Sequence, residues 1–222
     1  EKSMLHNHEA IDALLQKALD QMKSQGAIIV EVDFMSKYQA LGNKEFSIMK
    51  YEFKDGLNRY LASSNSKMKS LEDVIKFDKE NEATAMPYFK QEIMDSSQIT
   101  GDIKSKGYAE AMTGLPAIRK FLDDVLTKNH LDALCGPSTG PSWTIDLIAG
   151  DHWTGYGAYG PAAMAGYPSI TVPMGLVMEL PVGISFLGRP YDEPGLISIA
   201  YAYEQASKNW AAPKYLPSFP SK

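Results

Sequence analysis

The first regular hydrophobic pattern of the chain lies in residues 7–25. Apolar side chains recur there at helical spacing, at Ile11, Leu14, Leu15, Ala18, Leu19 and Met22. Such an i, i+3, i+4, i+7 series predicts an amphipathic helix. We expect Gly26 to end this helix, and the apolar, largely β-branched run over residues 27–32 predicts a strand directly after it. This helix-then-strand order favours an α/β domain.

A second helical pattern covers residues 44–62. Its apolar side chains share one side of the predicted helix, at Phe46, Met49, Phe53, Leu57, Tyr60 and Leu61. Ser70, followed three residues later by Asp73, predicts the N-cap of a short helix over residues 71–81. The stretch 87–128 is also predicted to be mostly helical.

Within that stretch we expect a short helix over residues 88–96, followed by a longer one. Pro116 interrupts the longer pattern, and we expect it to kink or restart the helix because proline lacks the backbone N–H donor.

After residue 128 the chain changes to short apolar runs separated by glycines and prolines. The predicted strands are 131–135, 169–172 and 181–186, and the predicted helices are 161–165 and 194–206. A long loop reaches from the first of these strands to about Tyr159, and the tail 213–222 is expected to be coil. These patterns predict an α/β fold with a mixed β-sheet core covered by helices.

We expect a single domain over residues 1–222. Its first portion, 1–128, is predicted to be helix-rich with one strand. Its second portion, 129–222, is predicted to hold the strand and loop core and a closing helix.

The composition narrows the class of function. The formal net charge of −5 argues against a broad nucleic-acid-binding surface, which needs a basic excess. No apolar run reaches the roughly 18 residues of a transmembrane helix, so no membrane partner is expected. The start of the chain lacks the apolar core of a signal peptide and an initiator methionine, so we expect it to begin inside a longer gene product. We expect a soluble protein, and the sequence leaves the compartment open between cytoplasm and periplasm.

The single cysteine and the few histidines give little chemistry. Cys135 lies in a predicted strand and is most simply a small core residue. His6 and His8 lie near the start of the chain without an accompanying carboxylate motif. We therefore expect neither a metal ion nor a cofactor.

Three short motif matches lack the context that their chemistry needs. Gly136–Gly140 fits the G-x-S-x-G nucleophile elbow, but no helix start follows its serine. Gly155–Gly160 fits G-x-G-x-x-G, yet no hydrophobic strand precedes it. Ser64–Lys67 fits S-x-x-K, but the companion Lys-Thr-Gly is missing from the sequence. We expect all three to be structural or fortuitous.

The loop over residues 136–159 is a different case, because it concentrates aromatic and polar side chains. It contains Trp143, Asp146, Asp151, His152, Trp153, Tyr156 and Tyr159. Long irregular loops of this composition commonly line binding sites. The alternative is that the aromatic side chains only pack the loop onto its own surroundings.

Four segments carry a resemblance to a known family. Residues 131–138 (LDALCGPS) resemble D-A-(L/I)-x-x-P, and residues 165–175 (AGYPSITVPMG) are similar to G-x-P-(A/S)-(I/L)-(T/S)-(V/L)-P-x-G. Residues 180–188 (LPVGISFLG) match P-(V/I)-G-(L/I)-(Q/S), and residues 201–206 (YAYEQA) resemble a closing helix A-x-x-(F/Y)-E. All four patterns belong to the amidase signature family, a group of serine hydrolases that cut linear amides.

With further similarity upstream, the resemblance spans most of residues 28–206. The segments 141–147 and 150–152 look closest to the peptide-amidase-like branch. The resemblance implies the C-terminal portion of the amidase signature fold and hydrolysis of a linear carboxylic amide. The residues that we expect to contact the substrate are Trp143, Ile145, Asp146, Trp153 and Tyr156. A hydrogen bond within the loop would explain Asp146 almost as well.

The family's chemistry rests on a Ser–cis-Ser–Lys triad in a Gly/Ser-rich signature of the N-terminal half. No serine of this chain lies in such a stretch, so no catalytic residue is assigned to it. The resemblance implies a C-terminal part that is inactive by itself and supplies sheet core and one wall of the substrate pocket. Its expected partners are the N-terminal half of the same enzyme, a small amide or peptide-amide substrate, and a second copy in a homo-oligomer.

Two other functions stay open at this point. A family member of the transamidase type, as part of a tRNA-dependent amidotransferase complex, would share the same motifs. A non-catalytic binding domain is the other alternative.

Overall fold

The computed structural model describes residues 8–33, 35, 38–39, 44–153 and 155–215. Its helices are α1 (Glu9–Ser24), α2 (Glu45–Ser63), α3 (Leu71–Glu80), α4 (Glu82–Ala85), α5 (Glu92–Gln98), α6 (Lys106–Met112), α7 (Leu115–Lys128), α8 (Gly160–Ala165) and α9 (Glu193–Ser207). Its strands are β1 (Leu134–Pro137), β2 (Ser169–Val177) and β3 (Leu180–Leu187). The predicted α/β class is confirmed.

The chain divides into two compact units. The sheet unit combines Glu1–Ala40, Pro116–Thr144 and Asp151–Lys222. The helical unit combines Leu41–Leu115 with Ile145–Gly150. The expected single domain with a division at residue 128 stays a prediction.

The sheet unit contains a three-stranded sheet in the order β1-β3-β2. Both strand pairs are antiparallel, with Cys135 and Ile170 each opposite Phe186. A parallel pair, which a mixed sheet would also contain, is not among the described residues. The β2–β3 hairpin turns at Met178 and Glu179, which both have positive φ, as the tightest hairpin turns require.

One face of this sheet packs against α1 and α9. The core residues there are Ile11, Leu15, Ala18, Val172, Met174, Val177, Val182, Ile184, Phe186, Leu196, Ala200 and Tyr203. Helix α1 can lie close to β2 because residue 175 is a glycine: a Cβ there would stand 2.7 Å from Leu14 Cδ2. This face is therefore the hydrophobic core of the sheet unit.

The helical unit is held together by α2, which packs against α5 and α6. Lys54 Nζ donates hydrogen bonds to the carbonyls of Gln98 and Thr100 at the end of α5, each at 2.7 Å. A cation at that position satisfies carbonyls that the helix leaves unpaired. The predicted cap of α3 is confirmed, since the amide of Asp73 donates to Ser70 Oγ at 3.2 Å.

The apolar side of α2 is only partly buried. Ile48 and Leu61 are in the interior, whereas Phe46, Met49, Phe53 and Tyr60 are exposed. An apolar stripe on a helix normally faces a core. The apolar pattern therefore predicted the helix correctly. It did not predict which of the apolar side chains of α2 are buried in this chain.

Several predicted elements differ from the structure. Residues 27–32 form no strand, because their backbone has no pairing partner among the described residues. The strand predicted at 131–135 begins and ends later, as β1. In place of the helix predicted over 88–96, the structure has α4 before that range and α5 from Glu92. Pro116 restarts the helix as expected, near the beginning of α7.

Among the described residues, no helix is both long and apolar enough to cross a membrane. The last residues of the predicted coil, 216–222, lie outside the described part of the chain.

Candidate functional site

The loop that the sequence singled out over residues 136–159 begins at Ser138 in the structure, because Gly136 and Pro137 belong to β1. The amide of Ser138 donates to the carbonyl of Gly183 at 2.9 Å, so this residue extends the β1–β3 ladder by one step. No helix follows it, and the nucleophile-elbow match is a strand end followed by coil. Its side chain nevertheless has a specific environment.

Three hydroxyl groups meet on the sheet face opposite the α1–α9 core. Ser185 Oγ lies 2.7 Å from Ser138 Oγ and 2.7 Å from Thr171 Oγ1. Ser138 Oγ also approaches Thr171 Oγ1 at 3.4 Å. We call Ser138, Thr171 and Ser185 the hydroxyl cluster. Because it takes one residue from each strand or its end, it fixes the beginning of the loop to the sheet.

The hydroxyl cluster depends on a glycine. A Cβ at Gly183 would stand 2.6 Å from Thr171 Cγ2 and 3.0 Å from Ser138 Oγ. Ser185 is 1 % exposed, whereas Thr171 reaches the surface. No lysine, histidine or carboxylate is hydrogen-bonded to any of the three hydroxyls in the part of the chain that the structure describes. Without a base, none of them is an activated nucleophile.

Trp143 and Trp153, two of the expected substrate contacts, are in contact with each other. Their rings meet edge to face, with centroids 5.8 Å apart and an angle of 89° between the planes. Trp143 Nε1 donates to Asp151 Oδ1 at 3.1 Å, which fixes the orientation of the indole. Trp153 is 55 % exposed, so the pair presents an aromatic surface.

Tyr156, in the same unit, lies against the hydrophobic core. Its hydroxyl oxygen is buried and has no hydrogen-bond partner among the described residues. Burial, and secondarily the charge of Asp12, raises the pKa of Tyr156 to about 12. Its backbone has φ of 66°, a region that costs a non-glycine residue energy. Packing accounts for the position of this ring, and its expected role in substrate binding stays a prediction.

Ile145 and Asp146 belong to the helical unit, unlike the two tryptophans. Asp146 Oδ1 accepts hydrogen bonds from the amides of Ile148 and Ala149, both at 2.8 Å. This carboxylate oxygen therefore shapes its own loop, as the alternative explanation required. Ile145 is 77 % exposed.

The hydroxyl cluster was missed from the sequence. The alternation of strand residues places Thr171 and Ser185 on one sheet face, which is a signal for their proximity. Nothing in the sequence gives the pairing of Ser138 with them, because that depends on the β1–β3 register. No group of three or more His, Cys, Asp or Glu side chains that could hold a metal occurs among the described residues.

A family model described as amidase matches residues 1–197. A protein of Arabidopsis thaliana named as a probable amidase is 27 % identical over 212 residues, covering 92 % of this chain and 38 % of the relative. A glutamyl-tRNA(Gln) amidotransferase subunit of Exiguobacterium sibiricum is 28 % identical over 217 residues, covering 93 % of this chain and 44 % of the relative.

Among solved structures, the native peptide amidase of Stenotrophomonas maltophilia is similar with a TM-score of 0.79 and 32 % identity. The match covers 94 % of this chain and 42 % of that enzyme. This chain therefore spans about two fifths of the length of these relatives.

Proposed function

Since the chain belongs to the amidase family, we propose that it forms part of an enzyme that hydrolyses linear carboxylic amides to an acid and ammonia or an amine. The observation that carries the proposal is the match to a peptide amidase over 94 % of this chain. A small amide or a peptide amide is the substrate class that this match favours.

The role of this chain in such an enzyme is structural support and substrate contact. The sheet with its α1–α9 core supplies a rigid base. The hydroxyl cluster attaches to this sheet the start of the loop 136–159, which we call the aromatic loop. The Trp143–Trp153 pair, in which Trp153 is exposed, offers an apolar aromatic surface for the substrate's side chain. We propose that the Ser–cis-Ser–Lys triad comes from the N-terminal half of the enzyme, which is the partner of this chain.

The requirements of acyl transfer support the prediction that the chain alone is inactive. Acyl transfer needs a nucleophile with a base beside it and donors for the developing oxyanion. The hydroxyls of Ser138 and Ser185 are hydrogen-bonded to other hydroxyls, which do not act as bases at neutral pH. The purified chain should neither release ammonia from amidated peptides nor react with a fluorophosphonate probe. Stoichiometric labelling of a serine in this chain would contradict the assignment.

A chimera tests the proposed function directly. The region of the Stenotrophomonas maltophilia peptide amidase that this chain matches is replaced by this chain, and ammonia release from peptide amides is measured. We expect a folded chimera to hydrolyse peptide amides. Trp143→Ala in the chimera should raise KM more than it lowers kcat, because the ring binds substrate without taking part in bond breaking. A folded chimera without amidase activity would refute the proposal.

The similarity to the glutamyl-tRNA(Gln) amidotransferase of Exiguobacterium sibiricum supports a second candidate, a part of the corresponding subunit of such a complex. The two candidates predict different substrates for the chimera. Hydrolysis of free glutamine in preference to peptide amides would favour the second candidate.

A further inference from the structure

Two tryptophans and one carboxylate of the aromatic loop form a group that we call the Trp–Asp group. It consists of Trp143, Asp151 and Trp153, which all belong to the sheet unit. The two rings meet edge to face, and Trp143 Nε1 donates to Asp151 Oδ1 at 3.1 Å. An edge-to-face contact covers only one ring face of the pair. Because Trp143 is partly exposed and Trp153 is exposed, aromatic surface stays open to solvent beside the carboxylate.

The carboxylate of this group has capacity for a further partner. Asp151 is exposed, and it forms no ion pair with a lysine, arginine or histidine in the described part of the chain. Its Oδ1 accepts from the indole of Trp143, whereas its Oδ2 has no donor among the described residues. The hydrogen bond to a carboxylate also polarises the indole, and this makes the ring face more attractive to a cation.

An open aromatic face next to an unpaired carboxylate favours one class of ligand, an organic cation. Cations bind over the faces of tryptophan rings, and a guanidinium group does so more often than an ammonium group. A guanidinium is planar, so it can stack on a ring while its N–H donors reach a carboxylate at the edge of that ring. An ammonium group is compact and strongly hydrated, and a neutral apolar side chain would use the ring alone. The guanidinium is therefore the best match.

We propose that the Trp–Asp group is a subsite for the guanidinium side chain of an arginine-containing peptide amide. The guanidinium stacks on the open ring face of the tryptophan pair and donates to Asp151 Oδ2. This assignment rests on the proposed function, which gives a peptide amide as the substrate class, and it adds the side chain that the enzyme prefers. The net charge of −5 acts in the same direction, because it attracts cationic substrates.

The residues of the subsite all lie in this chain, so binding can be measured on the purified chain without catalysis. The probes are Nα-acetylarginine amide and Nα-acetylcitrulline amide, which have nearly the same shape but differ in charge. NMR follows the indole N–H signals, which Trp143→Phe and Trp153→Phe assign. The signals of Trp143 and Trp153 should shift, and that of Trp210, which is not part of the group, should not. We expect the arginine probe to bind about fivefold more tightly than the citrulline probe.

Asp151→Asn tests the carboxylate. Asparagine keeps a carbonyl oxygen that can accept from Trp143 Nε1, so the variant loses the charge but retains an acceptor for the indole. It should bind both probes equally, whereas the unsubstituted chain should lose its preference only gradually as salt is added. The matched control is Asp132→Asn, an exposed aspartate of the same unit outside the aromatic loop, which should keep the preference. Trp153→Leu should weaken binding of both probes. Thermal unfolding verifies that the variants fold.

The outcomes separate the subsite from the proposed function. Absence of binding, equal affinities for the two probes, or a preference that Asp151→Asn leaves unchanged would overturn the subsite, while the chimera still decides the activity. Equal losses in Asp151→Asn and Asp132→Asn would also overturn it, because net charge would then explain the preference. An inactive chimera, combined with an arginine preference of the purified chain that depends on Asp151, would refute the proposed function and leave the guanidinium site standing.

Discussion

Removing the central hydroxyl of the cluster, by Ser185→Ala, should destabilise the sheet unit. Ser185 Oγ is the group that makes both short contacts, at 2.7 Å to Ser138 Oγ and 2.7 Å to Thr171 Oγ1. A hydrogen bond in a protein contributes about 1 kcal/mol net, so the loss of both gives an upper value of about 2 kcal/mol.

The surroundings of the two partners refine this value. Thr171 is exposed, so water can replace the bond that it loses. Ser138 is buried and keeps only the long 3.4 Å contact to Thr171, so its hydroxyl is left poorly satisfied. We therefore expect Ser185→Ala to lower the free energy of unfolding by about 1–2 kcal/mol, most of it arising at Ser138.

Tryptophan fluorescence during urea unfolding is a suitable assay. The three tryptophans, Trp143, Trp153 and Trp210, all belong to the sheet unit, so the signal reports that unit alone. This matters because a chain with two compact units need not unfold in one step. The matched control is Ser169→Ala, an exposed serine of β2, which should change the free energy by less than about 0.5 kcal/mol.

A double-mutant cycle makes the test specific to the cluster. Ser185→Ala leaves the Ser138 hydroxyl without its short partner, and Ser138→Ala removes one of the two short partners of Ser185. In the double variant neither hydroxyl of this pair is left behind. The double variant should therefore cost less than the sum of the single variants by about 0.5 kcal/mol or more. Additivity of the two substitutions, or a Ser185→Ala cost equal to that of the Ser169→Ala control, would refute the reasoning.

Four other substitutions test three separate features. Phe53→Glu should change the free energy of unfolding of the helical unit by less than about 0.5 kcal/mol because Phe53 is exposed, whereas Leu61→Ala should lower it by about 2–5 kcal/mol because Leu61 is buried. Urea unfolding followed by circular dichroism measures both values, and equal costs would contradict this packing. Gly183→Ala should cost about 1–3 kcal/mol in the fluorescence assay, since the new Cβ would collide with the hydroxyl cluster; an unchanged midpoint would exclude this crowding. The pKa of Tyr156 is about 12 in the folded chain and about 10 in the unfolded chain, so the free energy of unfolding should fall as pH rises from 10 to 12. Tyr156→Phe should make this fall less steep. A pH profile of stability that the substitution leaves unchanged would contradict the prediction.

The helices and the hairpin strands were predictable because their causes are local. The apolar spacing of α1 and the Ser70 cap of α3 each lie within a few neighbouring residues. The strand predicted over residues 27–32 shows the limit of this reasoning. Its β-branched side chains favour an extended backbone, but a strand also needs a hydrogen-bonded neighbour, and the described residues contain none. The β propensity of these residues was therefore not sufficient to predict a strand.

The candidate site was less predictable because it depends on contacts between distant segments. Trp143 and Trp153 were singled out by composition, but their edge-to-face contact is a property of the folded loop. Ile145 and Asp146 are their close neighbours in sequence, yet they belong to the other compact unit. Adjacency along an irregular loop therefore does not establish a shared site.

The segment that most clearly indicates the family, residues 180–188, has a physical explanation in the sheet. Gly183 is required there because any side chain would enter the space of Thr171 and Ser138. Ser185, two residues later on the same face, fills that space with the hydroxyl that joins the two. The motif is thus explained by the packing of β1, β2 and β3 against one another at the start of the aromatic loop. Since packing of this kind is needed whatever the substrate is, the motif identifies the fold and the family without specifying a substrate.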